Sequence, residues 1–373
     1  MNLSLNERRF ANAEALNLED GGFPSSNKPR KAEARSPIEE TTKQKVRRLA
    51  VHCQRYRGAV TRLAAWQVAN TLVPLAIVVA AMFATVRTHY WMTLLLAIPA
   101  AGLLIRTFII QHDCGHGSFL TSRVLNDALG RALSVLTMAP YGLWRREHSL
   151  HHATSGNLDK RGIGDIVTRT VAEYRQMSPL QKFFYRVYRN PAFLFGLGVP
   201  AYFLFLHRLP WFHALSARES FKSVAGLNLA LAAFYGPLMY VFGVSDVLWI
   251  VLPIVHIASA IGGWLFFIQH QFEETTWEQA EGWDFQVAAL LGSSFYDLPK
   301  FLNWFTGNIG FHHIHHLNSM IPNYRLRACL EASPELKAIN RMTLWDSFKC
   351  AGLKLWDEKS KRLVRFEEAA GLA

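Results

Sequence analysis

The chain of 373 residues is 50% hydrophobic and 13% aromatic and carries a formal net charge of +12. Its four cysteines are isolated from one another, form no CxxC pair and are expected to be free thiols, so a disulfide-stapled fold is excluded. There is no internal repeat and no nucleotide-binding glycine motif; the positive charge suits anionic lipid headgroups or an acidic protein partner, and no nucleic acid partner is expected.

In chain order, residues 1–45 are polar and basic and read as a disordered arm, and the first 60 residues lack the apolar core of a signal peptide. Residues 46–345 read as one membrane domain. The stretch 63–86 contains no charge and is longer than the roughly 20 residues that cross a bilayer. A second run, 90–111, is interrupted only by Arg106, whose long side chain is expected to snorkel to the interface. It leads into HDCGH, which spaces His112 and His116 at i, i+4 on one helical face. Residues 123–143, with Arg123, Asp127 and Arg131 among Leu, Val and Met, read as an interfacial helix. HSLHH then spaces His148, His151 and His152 at i, i+3, i+4.

Residues 191–206 are apolar but broken by Gly196, Gly198 and Pro200, which suits an interfacial or re-entrant segment better than a straight span. Two further spans, 223–245 and 247–270, follow, the latter closing on His270 in FIQHQFEE. FHHIHH repeats the earlier pattern with His312, His315 and His316, and residues 346–373 read as a C-terminal cytosolic tail. The arm, the 145–190 stretch and the last hundred residues are basic, so both termini and the middle segment are expected on the cytoplasmic side, of a bacterial inner membrane. Two spans between the second and third clusters return the chain to the side it left. All the histidines can then share one face. The fold class expected is an all-α integral membrane protein, four transmembrane helices with a cytosolic helical cap carrying a histidine-rich site.

His112, His116, His148, His151, His152, His270, His312, His315 and His316 are nine candidate ligands, too many for one tetrahedral zinc, and imply two metals. Nearby acids, Asp113, Glu147, Asp159, Asp165, Glu273 and Asp297, are candidates to accept the N–H of a ligating ring and fix its tautomer. Asn308, one helical turn before His312, is a candidate to hold a water on one metal. A metal transporter would place its histidines along the permeation route inside the spans; here they sit at span ends and in cytosolic segments.

HDCGHGSF, WRREHSLHHATSGNLDKRG, FIQHQFEETTW and GNIGFHHIHHLNSMIPNYRL resemble the histidine boxes of membrane fatty acid desaturases, most closely the bacterial acyl-lipid, delta-12-like branch, over residues 60–345. The resemblance implies a non-haem centre of two irons per chain that uses oxygen and two electrons to introduce a cis double bond into an acyl chain. It implies an acyl-lipid, acyl-CoA or acyl-carrier substrate drawn from or near membrane lipid. No haem-binding HPGG segment is present, so the electrons are expected from a separate ferredoxin or cytochrome b5-like donor. A related di-iron hydroxylase or ketolase, acting on lipid chains or carotenoids, is the alternative chemistry. In the family pattern His313 falls at a position that does not bind metal, leaving it a surface or supporting role.

Overall fold

The computed structural model describes residues 37–162, 164–212 and 216–371. Residues 1–36, most of the arm expected to be disordered, lie outside them. The rest of the arm departs from that expectation, because helix α1 (Pro37–Gln54) begins within it. Val46, Leu49, Ala50 and Cys53 recur at helical spacing and are buried in one cluster with Leu290, Phe311, Ile314 and Leu326. Burial of that stripe decides the local structure, although the opposite face is polar.

Helices α2 (Thr61–Thr85) and α3 (Tyr90–His116) are the first two of four described helices long and apolar enough to cross a bilayer. They are followed by α4 (Arg123–Thr137), α5 (Tyr141–Thr154), the two-residue strand β1 (Arg169–Thr170), α6 (Val171–Gln176) and α7 (Pro179–Tyr188). The segment Pro191–Arg208 is bent by 59° from α7 and passes through a π turn at Leu194–Gly198. Helices α8 (Ala217–Phe242) and α9 (Val244–His270) complete the set of spans. Each span holds one interior proline, Pro74, Pro99, Pro237 or Pro253, which membrane helices tolerate where neighbours satisfy the freed backbone groups. At the end away from the histidines, Arg87 pairs with Asp246 at 2.5 Å and ties the two hairpin turns together.

Arg106 does not snorkel. Its side chain is buried; Nε donates to Thr71 Oγ1 at 3.0 Å, Nη1 donates to the Trp304 carbonyl, and the guanidinium lies 4.3 Å from the Trp304 ring centroid. Partners from two other elements outcompete the interface, since a charge in hydrocarbon needs hydrogen-bond acceptors wherever it finds them.

The remaining elements form the cap: α10 (Phe285–Leu291), β2 (Phe295–Asp297), α11 (Lys300–Phe305), α12 (His312–Leu317), α13 (Asn323–Glu331), α14 (Pro334–Ala338), β3 (Arg341–Thr343), α15 (Leu344–Cys350), β4 (Leu355–Asp357), β5 (Arg362–Val364) and α16 (Phe366–Gly371). β2 pairs in parallel with β3, and β4 lies between β1 (parallel) and β5 (antiparallel). Two small sheets therefore join an otherwise helical fold. The segment expected to be a tail is part of this cap, with Trp356 and Leu363 buried in the main core and Trp356 stacked on Trp277 at 5.2 Å. The buried Arg189 guanidinium holds it there, donating to Thr168 Oγ1 (3.0 Å), Gln271 Oε1 (3.0 Å) and the Leu353 carbonyl (2.8 Å).

Candidate metal centre

Four elements deliver the histidines to one place. α3 ends on His112 and His116 and is stopped by Gly117 in the left-handed region (φ 74°). α5 presents His148, His151 and His152; α9 ends on His270; and the six-residue α12 carries His312, His315 and His316. They sort into two groups. His112, His116, His148, His152 and His315 form one, His151, His270, His312 and His316 the other, with the ligand atoms of each group within 4.8 Å of one another. The i, i+3, i+4 spacing thus splits α5 and α12 between the two groups.

The tautomers can be assigned from the outer nitrogens. His112 Nδ1 donates to Asp113 Oδ1 at 3.0 Å, His151 Nδ1 to Asp165 Oδ1 at 2.6 Å, and His270 Nδ1 to the Gly292 carbonyl at 3.2 Å. A neutral imidazole has one N–H, so the Nε2 of each of these rings is a bare lone pair. Those lone pairs point inward. His151 Nε2 lies 3.0 Å from His270 Nε2, and His270 Nε2 lies 3.0 Å from His312 Nε2. In the larger group His148 Nε2 is 2.9 Å from His112 Nε2 and 3.1 Å from His116 and His152, and His315 Nε2 is 3.1 Å from His152 Nε2.

Two bare nitrogens at such separations repel, and a cation between them turns the repulsion into ligation. Burial, followed by the neighbouring rings, pushes His148, His152, His312, His315 and His316 well below the ordinary histidine range, which keeps them neutral and able to ligate. Burial pushes Asp165 upward, but His151 outweighs it and the carboxyl ends below its usual range, poised as an acceptor. His316 Nε2 is buried without a hydrogen-bond partner, as expected of a nitrogen reserved for a metal. The donor set fits two metal ions bound by imidazole.

Of the acids expected to support the rings, Asp113 reaches His112 and Asp165 reaches His151. Asp113 is itself held: its Oδ2 accepts from the Asn323 backbone N–H (2.6 Å) and Nδ2 (2.8 Å), and Asn323 Oδ1 accepts from Gln67 Nε2 (2.8 Å). Glu147 is buried on α5. Asp159 accepts from the Ala280 N–H at 2.8 Å, Asp297 pairs with Arg341 at 2.7 Å, and Glu273 lies at the surface 4.0 Å from Arg362, so these three face other partners. Asn308 adopts φ 58°, donates to the Asn323 carbonyl at 3.4 Å and accepts from Arg327 at 3.2 Å. His313 turns away from the groups, and its Nε2 donates to the Leu336 carbonyl at 3.0 Å.

Sequence reasoning did not single out Asn323, Gln67 or the Gly292 carbonyl, because each acts through tertiary hydrogen bonds that no spacing encodes. Trp144 carried a visible signal, one turn before His148, on whose ring it stacks at 4.7 Å. Phe266, one turn before His270, lies 5.2 Å from the His151 ring. The four-histidine group is buried throughout, whereas His116, His148 and His152 of the other are partly accessible, so that group lies nearer the surface.

A family model described as fatty acid desaturase matches residues 88–345. Among curated proteins, a fatty acid desaturase of Bacillus subtilis (strain 168) is 41% identical over 88% of this chain and 93% of its own length. An sn-1 acyl-lipid omega-3 desaturase (ferredoxin) of Synechocystis is 30% identical over 65% of this chain and 68% of its own. An sn-1 oleoyl-lipid 12-desaturase from the same organism is 26% identical over 60% and 63%. The matched region carries every histidine of both groups and all four spans but the first, and with it this multi-pass membrane oxidoreductase belongs to the fatty acid desaturase family.

Proposed function

We propose that the chain is an acyl-lipid desaturase that introduces a cis double bond, delta-12-like or similar, into an acyl chain of a membrane lipid, with two irons held by His112, His116, His148, His152 and His315 on one side and His151, His270, His312 and His316 on the other. The observation that carries this reading is the convergence of bare ring nitrogens, oriented by Asp113, Asp165 and the Gly292 carbonyl, at the ends of apolar spans where acyl chains lie. When bound, iron supplies the oxidising power: one hydrogen leaves each of two adjacent methylenes, and O2 with two electrons and two protons becomes two waters.

The protein's own task is positioning and exclusion. Asp113 and Asp165 keep the rings of His112 and His151 in one tautomer and one orientation through a cycle in which charge at the centre changes. Trp144, stacked on His148, and Phe266, beside His151, pack apolar rings against the candidate ligands and keep water from them. Methylene carbon offers no acid or leaving group, so placement must select which bond reacts.

Electrons come from a separate carrier, a ferredoxin or a cytochrome b5-like protein, the former supported by the name of the Synechocystis relative. The histidine side is cytoplasmic and the membrane a bacterial inner membrane. Expression in a host lacking desaturases, followed by lipid analysis, tests the whole reading: a new double bond in the acyl pool supports it and gives the position. A hydroxyl or keto group on the chain, or an unchanged lipid profile in iron-replete cells that supply the donor, overturns it.

A further inference from the structure

The spans' own geometry fixes how deep the cap reaches. Twenty residues at about 1.5 Å per residue cover about 30 Å, the hydrocarbon thickness. Counted from Val244, the apolar slab crossed by α9 ends near Trp264, and counted from Tyr90 along α3 it ends near Ile110. Two short cap helices touch the spans at or below that level. On α15, Phe348 stacks on Trp264 with ring centroids 5.8 Å apart. On α11, Phe305 lies on Gly102, where an added Cβ would meet its ring at 2.7 Å, and Trp304 covers Arg106. Gly102 and Arg106 both lie well inside the slab.

The outward faces of these helices are apolar. Phe301 is 65% and Trp304 38% exposed on α11, and Trp345 is 76% and Phe348 55% exposed on α15. α15 sorts its residues into three faces: Ser347 and Cys350 are buried with Leu344 packed partly buried against the core, Trp345 and Phe348 form an exposed i, i+3 pair 6.0 Å apart, and Asp346 and Lys349 form an ion pair of 2.9 Å. A water-facing surface helix has no reason to expose two aromatic rings beside a charged face.

We propose that α11 and α15 are immersed in the leaflet on the histidine side, with Phe301, Trp304, Trp345 and Phe348 among the lipid glycerol and upper acyl carbons and the Asp346–Lys349 pair at the headgroups. The occupant of this surface is lipid because the surface is continuous with the lipid-facing sides of α3 and α9. Amphipathic helices with Trp and Phe on one face and charge on the other settle at that depth. The immersion anchors the ligand segment from both sides, since α11 leads into α12 with its three candidate ligands and β3, which pairs with β2, leads into α15.

The test uses the full chain in nanodiscs of phosphatidylethanolamine and phosphatidylglycerol. Trp345→Cys and Phe348→Cys, one at a time, receive an environment-sensitive NBD probe; the four native thiols are buried. Lipids with a nitroxide at acyl carbon 5 are expected to quench both probes several-fold more than aqueous iodide does. A probe quenched by iodide and indifferent to the lipid nitroxide overturns the proposal. So does energy transfer between probes on two copies in discs loaded with two chains, which would make the face a contact between copies. On the unsubstituted chain, a lipid-borne diazirine is expected to label the 344–350 peptide, and labelling of that peptide by aqueous hydroxyl radicals in its place overturns the proposal independently of any substitution.

Discussion

Replacing His315 by Ala removes one nitrogen from the five-histidine group, whereas replacing His313, two residues away, removes a hydrogen bond to the Leu336 carbonyl. His315→Ala is therefore expected to lose iron and abolish desaturation. His313→Ala is expected to keep both while losing about 1–3 kcal/mol of stability, the usual cost of an unsatisfied buried partner. Near-normal turnover in the first variant, or iron loss in the second, would mean that the register of α12 is misassigned. Asn323→Ala leaves one Asp113 oxygen without its side-chain donor but with the Asn323 backbone N–H, and iron retention against a chelator is expected to fall, by less than the about 10- to 100-fold typical of a group that touches the ligand itself. Unchanged retention would reduce Asn323 to packing. Eight of the nine candidate ligands were legible because their spacing is local to helices, whereas His270 stands alone at the end of its span. The two acids that reach the rings were legible only as members of a set of six: Asp165 and Asp159 lie equally plausibly near α5 in sequence, and only tertiary contacts bring the former to His151 and the latter to the Ala280 N–H.

Helix α1 shows what averaging over a segment conceals. Its mean composition is that of a disordered arm, yet four residues at helical spacing suffice to dock it on α10 and on α12, which carries the third set of candidate ligands. Leu49→Ala, at a position 2% exposed, is expected to destabilise the cap by about 2–5 kcal/mol, read as a lower thermal midpoint in nanodiscs with the spans still inserted. A midpoint within a degree of the parent would argue that α1 contributes nothing to the cap. The spans themselves were legible to within a few residues, since an uncharged run of that length has few alternatives. The C-terminal elements were not, because β4 and β5 are three residues each and are held by the buried Arg189, far away in sequence.

At the scale of the molecule, the two histidine groups constrain topology. Ligands that precede Pro191–Arg208 and ligands that follow it meet in one site, and α8 and α9 already supply an even number of crossings between them. Single-cysteine labelling is expected to find positions 160, 280 and 360 on the cytoplasmic side and 88 and 245 on the other. Opposite labelling of 160 and 280 would make a shared centre physically impossible. Arg106 adds a constraint in time. Its Trp304 acceptor lies 198 residues further along the chain, so during synthesis α3 enters the membrane with a guanidinium still short of its last partner. A charge at the helix centre costs about 2.5–3.5 kcal/mol on insertion scales, and Arg106, nearer the end of its span, costs less. The ribosome must therefore deliver α11 before the first hairpin is at rest, and the early half of the protein stays poised, reaching for the interface, until the late half arrives to hold it.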